Sequence, residues 1–227
     1  MFTPIRKTIF TILLLLSVPS LSFGVEFNHF ISHKNCDQIL DNRYYKTCYS
    51  YRMKSAIYVA YHLSGDNVNV VNIKKRPAFY PDARIPKQYR AHLSDYVHNK
   101  FHADRGHLAP DASFDYNQDA LHSVYVLSNI IPQYFKINRR AWLKAERYAR
   151  LMAVKLGQVS VVNGVVYSDN PDTPRLKGSI AYPVGYWKMI YNNKAGFNRC
   201  FYYKNDGNLD WSHDKLKKHL FDCARIK

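Results

Sequence analysis

The spacing of apolar and polar positions along this chain predicts its elements. Residues 8–18 form a largely apolar run containing Leu13-Leu14-Leu15-Leu16, preceded by Arg6 and Lys7 and followed by Ser22-Phe23-Gly24. Positive residues, a short apolar core and small residues in that order make a secretory signal segment. The core is short for a membrane span. Residues 1–24 are therefore expected to be a signal peptide, with no stable membrane insertion after cleavage; an uncleaved anchor is the alternative. Residues 25–227 are expected to form a single domain.

Within that domain, residues 56–63 are rich in β-formers, Ser64-Gly65-Asp66-Asn67 is a turn signal, and 68–73 is again apolar at alternate positions. The pattern predicts a hairpin. Pro77, Pro81 and Pro86 then exclude a helix, so 74–86 is expected to be a long loop, of the kind that often carries function. A short helix is expected within 87–99, a short buried strand at 124–127 and a connector at 128–133. Residues 138–155 carry Trp142, Ala145, Ala149, Met152 and Ala153 on one stripe at helical spacing, closed by Gly157. Two apolar runs flank Asn163-Gly164, which predicts a second hairpin. Further strands are expected at 180–183, 186–191 and 197–203, and a short basic helix at 216–223. There is no internal repeat. The economical fold class is α+β, a central antiparallel β-sheet with helices.

Composition changes this picture in two ways. Hydrophobic residues make up 47% of the 227, enough for a sizeable core, and the 19 tyrosines supply core bulk with a polar tip or surfaces on which bases stack. Loss of Arg6 and Lys7 with the signal segment leaves 31 Lys and Arg against 17 Asp and Glu, a formal charge of +14. That charge favours polyanionic partners, whether nucleic acid, anionic membrane or acidic polysaccharide, without choosing among them. The four cysteines, Cys36, Cys48, Cys200 and Cys223, are an even set in an exported chain, so two disulfides are expected. Three pairings exist. Cys36–Cys48 and Cys200–Cys223 are favoured because each joins neighbouring segments near one terminus. None has the spacing of a zinc or redox site.

Candidate chemistry centres on Asp104-Arg105-Gly106-His107. Arg is a fixed cation suited to phosphate, Gly permits close approach, and His exchanges a proton near neutral pH. Asn138, Trp142 and Glu146 recur at steps of four, near one flank of the expected helix. An amide oxygen is a competent ligand for a hard cation, and a carboxylate can hold one of that cation's waters. On spacing alone, Asn138 could equally be an N-cap and Glu146 the partner of Arg150 in an ordinary salt pair.

Asp104-Arg105-Gly106-His107-Leu108-Ala109-Pro110, then Ser128-Asn129-Ile130-Ile131-Pro132-Gln133, then Asn138, Trp142 and Glu146 resemble the DNA/RNA non-specific endonucleases, a family that includes secreted bacterial nucleases and mitochondrial endonuclease G. The likeness is strongest over 79–155 and weaker through 157–191. It implies a ββα-metal site acting on DNA and RNA. His107 would be the general base, Asn138 the single protein ligand of Mg²⁺ (or Mn²⁺), and Glu146 the holder of a metal-bound water. Arg105 would neutralise phosphate charge, Asn129 would help orient the site, and Asp104 would be structural. Arg76 is the nearest candidate for the family's upstream phosphate-binding arginine. Arg139 and Arg140, among the basic residues crowding the helix, could track the substrate backbone. Periplasmic or secreted localisation follows from the signal segment.

Two rival readings have distinct tests. His98, His102 and His107 could form a zinc site, although no catalytic Glu lies between the first two. The chain could instead be a non-catalytic cationic DNA- or envelope-binding protein, which would have no need of His107, Asn138 and Glu146 together.

Overall fold

The computed structural model describes residues 27–226 apart from 69, 171, 172, 178 and 211; the expected signal segment lies outside the described residues. Seven strands form one antiparallel sheet: β1 (Gln38–Asp41), β2 (Lys46–Ser50), β3 (Ser55–Ser64), β6 (Gln158–Val166), β9 (Gly185–Asn192), β10 (Phe197–Lys204) and β11 (Leu220–Phe221), in that spatial order. A separate two-stranded ribbon pairs β4 (Ala103–His107) with β5 (Ile130–Tyr134). Helix α1 (Gln118–Val124) lies between those two strands in sequence, and helix α2 (Leu143–Leu156) follows them. A small ribbon, β7 (Arg175–Leu176) and β8 (Ile180–Ala181), packs elsewhere. The α+β expectation holds, with an antiparallel sheet at its centre.

Alternation along the central strands sorts residues between two cores. Val159, Val161 and Val165 of β6 and Tyr186 and Ile190 of β9 meet Trp142, Ala145, Ala149, Met152 and Ala153 of the α2 region. Those five residues are the stripe expected from helical spacing. On the opposite face Val162 and Trp187 pack with Phe27, Phe30 and Ile31, so the N-terminal arm covers part of the sheet's back. The arm is stapled by Cys36–Cys48, and the C-terminal segment is tied to β10 by Cys200–Cys223.

Several expectations are corrected. The described residues of 68–73 do not pair with β3, whose neighbours are β2 and β6; long-range pairing replaces the local hairpin. Residues 87–99 hold two 3₁₀ turns, Lys87–Tyr89 and Leu93–Tyr96. The stretch 124–127 is the end of α1 and the start of a 3₁₀ turn, with Val126 making only an isolated bridge to Tyr80. The expected connector instead supplies β5. Asn163-Gly164 is not a turn, because β6 runs through it. A Cβ on Gly164 would lie 2.1 Å from the Trp187 ring of the neighbouring strand, so this glycine makes room for an indole. Residues 216–223 form a 3₁₀ turn and the short edge strand β11. The long loop at 74–86 is present and is pinned by buried Asp82, which accepts from Arg84 Nε (2.9 Å), Arg84 Nη2 (2.7 Å) and Ser128 Oγ (2.7 Å).

Candidate active site

The ribbon β4–β5 leads into a π-type turn at Ile137–Trp142 and then into α2. Two strands and a helix are thereby joined into one unit, with the candidate side chains on it. Period-two alternation puts Arg105 and His107 on one face of β4 and Asp104 on the other. Gly106 lies between them against Gln133, whose side chain would be 2.2 Å from a Cβ there, so the close packing of the ribbon requires glycine.

His107 stands at the end of β4 between two aromatic rings, with ring centroids 5.3 Å from Phe79 and 4.9 Å from Tyr125. Its Nε2 is buried with no hydrogen-bond partner among the described residues. Burial lowers its pKa to about 4, helped by the nearby cations Arg76 and Arg105 and opposed by the Asp111 carboxylate. The imidazole is therefore neutral at neutral pH. Arg105 is held over the Phe79 ring at 4.5 Å, beside that imidazole.

The two residues after His107 are clamped. Asn129 is fully buried. Its Oδ1 accepts from Ala109 N (2.8 Å), and its Nδ2 donates to Ala109 O (2.9 Å) and Val124 O (2.8 Å). Leu108 N donates to Asn129 O at 3.0 Å. From the central sheet, Asn163 Nδ2 donates to Leu108 O at 2.8 Å. Amide side chains thus satisfy a buried irregular backbone and fix where the imidazole stands.

Asn138 is inside the π turn rather than capping a helix. Its Nδ2 donates to Asp104 Oδ2 at 3.0 Å. The same carboxylate takes a two-pronged bond from Arg139, with Nε and Nη2 each at 2.7 Å. Asp104 therefore fixes the orientation of the Asn138 amide, and among the described residues no hydrogen bond reaches the amide oxygen. Glu146, two turns further along, is buried under α2. It forms no salt pair with Arg150 among the described residues. Burial raises its pKa, while the charges of Lys188 and Arg150 and the neighbouring Trp142 oppose that rise and Asp111 adds to it.

The remaining expected site residues separate. Arg76 is near His107, but its guanidinium is held by Asp111 (Nε, 3.2 Å), Asp115 (Nη2, 3.1 Å) and the carbonyl of Ile73. Arg139 is bound to Asp104, and both it and Arg140 are exposed. Lys144 of the basic helix is bound to Asp214 at 2.8 Å. The zinc alternative finds no support: His98 and His102 both have left-handed φ, 52° and 51°, outside any helix. Among the described residues, no group of three His, Cys, Asp or Glu is arranged to hold a metal.

Sequence reasoning missed Asp111, which accepts from Tyr125 Oη at 3.1 Å and acts electrostatically on both His107 and Glu146. It also missed Asn163 and Lys188. Their signal was present: each is a polar residue at an inward position of an otherwise apolar strand, where a partner is obligatory.

The sequence matches the family model of the DNA/RNA non-specific endonucleases over residues 27–217. Similar curated proteins include Nuclease 1, mitochondrial, of Schizosaccharomyces pombe (28% identical, covering 68% of this chain and 51% of that protein). Others are Endonuclease G, mitochondrial, of Homo sapiens (26%, covering 70% and 56%) and Nuclease C1 of Cunninghamella echinulata var. echinulata (30%, covering 66% and 64%). The chain spans about half to two thirds of the length of these relatives. A crystal structure of an EndoG/EndoGI complex shares the fold, with a TM-score of 0.71 at 20% identity over 88% of this chain and 87% of that one.

Proposed function

The chain belongs to the DNA/RNA non-specific endonuclease family, and on that premise we propose that it is an exported, metal-dependent endonuclease hydrolysing phosphodiester bonds of DNA and RNA. The observation that carries this reading is the imidazole of His107, held between Phe79 and Tyr125 at the end of β4, beside Arg105 and neutral at neutral pH. A ring of that kind accepts a proton from water at neutral pH. Arg105 supplies a permanent charge for the non-bridging phosphoryl oxygens. Contacts made to phosphate rather than to base edges read no sequence.

The residues fit a hard divalent cation. Asp104 fixes the Asn138 amide by its nitrogen, leaving the oxygen as the donor, and buried Glu146 provides a carboxylate to accept hydrogen bonds from the ion's hydration shell. When bound, Mg²⁺ neutralises phosphoryl charge and stabilises the leaving oxyanion; Mn²⁺ suits the same oxygen donors. Asn129 and Asp104 act by position, the one on the His107 segment and the other on Asn138. Arg76, Arg139 and Arg140 are the cations proposed to meet the substrate backbone, with phosphate replacing the carboxylates that hold Arg76 and Arg139. Export to the periplasm or medium is supported by the two disulfides. No helix among the described residues is long and apolar enough to cross a membrane.

The test is cleavage of supercoiled plasmid and of RNA by the oxidised protein, with Mg²⁺ and with EDTA. Nicking and linearisation that EDTA stops are expected. Retardation of the plasmid without cutting would favour the cationic binding protein instead.

A further inference from the structure

Arg76, Arg84, Arg139 and Lys144 each face a carboxylate. Lys100 and Lys177 do not. Both are exposed, neither has an ion-pair partner among the described residues, and both line one cavity of about 320 Å³. His98, Phe101, Arg175 and Leu176 share its wall, and no acidic side chain lines it among the described residues. Arg175 adds a third fixed charge, because its guanidinium donates to carbonyls, those of Ser179 (2.7 Å) and Arg52 (2.9 Å). The wall is held in shape. Asn99 Nδ2 donates to Tyr96 O (2.9 Å) and Ala103 O (3.0 Å), and its Oδ1 accepts from Ala103 N (2.8 Å). Phe101 stacks on Tyr182 with ring centroids 4.3 Å apart. His98 and Lys177 have left-handed φ, 52° and 45°, a costly conformation for residues with side chains, which persists where the surroundings impose it.

The cavity adjoins one end of β4, where Asn99 bonds Ala103, and His107 stands at the other end. Alternation puts Ala103, Arg105 and His107 on one face of that strand. At about 3.3 Å per residue, Ala103 is about 13 Å from His107, the axial length of about four nucleotides in one strand of a duplex. We propose that this cavity is a second phosphate site. It takes the sugar-phosphate backbone of a nucleic acid about four or more nucleotides from the bond at His107, through Lys100 and Lys177, with Arg175 adding to the field. Unpaired cations in a preformed hollow bind a phosphodiester without first giving up a carboxylate and with little ordering cost. The contact reads no bases, and it gives long polyanions an advantage over short ones. Its use in cleavage rests on the nuclease reading; its affinity for phosphodiester does not.

The test is equilibrium binding of the oxidised full chain, in EDTA, to a labelled DNA duplex of about 30 base pairs, long enough to span both positions. Affinity is measured across a range of NaCl. Each phosphate neutralised contributes about 0.9 to the slope of log K against log salt. Lys100→Ala combined with Lys177→Ala should therefore lower that slope by about two, and raise Kd at about 0.1 M salt by about tenfold or more. Lys100→Arg combined with Lys177→Arg should keep the parental slope. The control is Lys194→Ala combined with Lys217→Ala, which removes the same charge from two exposed positions outside the cavity wall; it should change the slope by less than half as much. An unchanged slope in the Lys100 and Lys177 variant overturns the proposal. So does an equal fall in the control pair, which would make the effect one of net charge alone. Loss of binding to vesicles of phosphatidylglycerol in phosphatidylcholine, with the duplex slope unmoved, overturns it in favour of a membrane contact. If the slope falls as expected while the parent cuts nothing in Mg²⁺, the nuclease reading fails and the phosphate site stands.

Discussion

Replacing Asn129 by alanine probes how far the site depends on a buried clamp rather than on the reacting groups. The side chain is fully buried and makes three hydrogen bonds to main chain, two to Ala109 and one to Val124. A typical buried hydrogen bond contributes about 1 kcal/mol net, and an orphaned buried partner raises the cost. Loss of three therefore destabilises by about 2–4 kcal/mol. In a chain of this size each kcal/mol lowers Tm by roughly 2–4 °C, so a fall of about 5–15 °C is expected. The freed backbone is two residues from His107, and a displacement of about 1 Å in a reacting group can cost about a hundredfold in rate. Calorimetry and plasmid cleavage well below the lowered Tm measure the two effects separately. Asn129→Asp keeps the acceptor for Ala109 N but sets a buried carboxyl oxygen against the carbonyls of Ala109 and Val124, so it should destabilise at least as much as alanine. A variant melting within about 1 °C of the parent and cutting at the parental rate would refute the idea that this amide positions the imidazole.

Asp104→Ala releases both the Asn138 amide and Arg139, yet the Arg139 side chain is 65% exposed. Such an exposed pair contributes about 0–1 kcal/mol, so Tm should barely move while kcat falls about tenfold or more; the reverse pattern would make Asp104 a stability residue only. His107 has its pKa lowered by burial from 6.5 to about 4. The unfolded chain therefore binds a proton that the native state refuses between those values, and stability is lost as pH falls from 6.5 toward 4, by at most about 3 kcal/mol. Urea midpoints against pH should show this slope in the parent and a shallower one in His107→Phe. Gly164→Ala places a Cβ 2.1 Å from the Trp187 ring; overpacking of this kind costs about 1–3 kcal/mol, readable as a lower urea midpoint.

Most of the helix expected at 138–155, whose first turn is of π type and whose α-helix begins at Leu143, and the strands β3, β9 and β10 were readable because their patterns are long and periodic. The stripe on α2 names the residues that pack on the sheet. Local signals failed where tertiary contacts overrode them. Asn163-Gly164 has the composition of a turn, but the glycine serves the Trp187 indole and the asparagine serves Lys188 and Leu108. Ser128 to Gln133 reads as a connector because its strand pairs with residues 23 or more positions earlier, as Ile130 does with His107. At the site, the proposed residues His107, Asn138 and Glu146 were legible from residue types and order. The supports were not, since Asp111, Asn163 and Lys188 meet them only through the fold. Nor could sequence show that Arg76 and Arg139 are already bound to carboxylates.

The most direct test of His107 as the proton acceptor is chemical rescue. His107→Gly should lose plasmid cleavage by several orders of magnitude, keep most of its polyanion binding, and regain part of its rate as imidazole is added, with rescue following the neutral form of the imidazole. Cleavage by His107→Gly at the parental rate without imidazole would contradict the account.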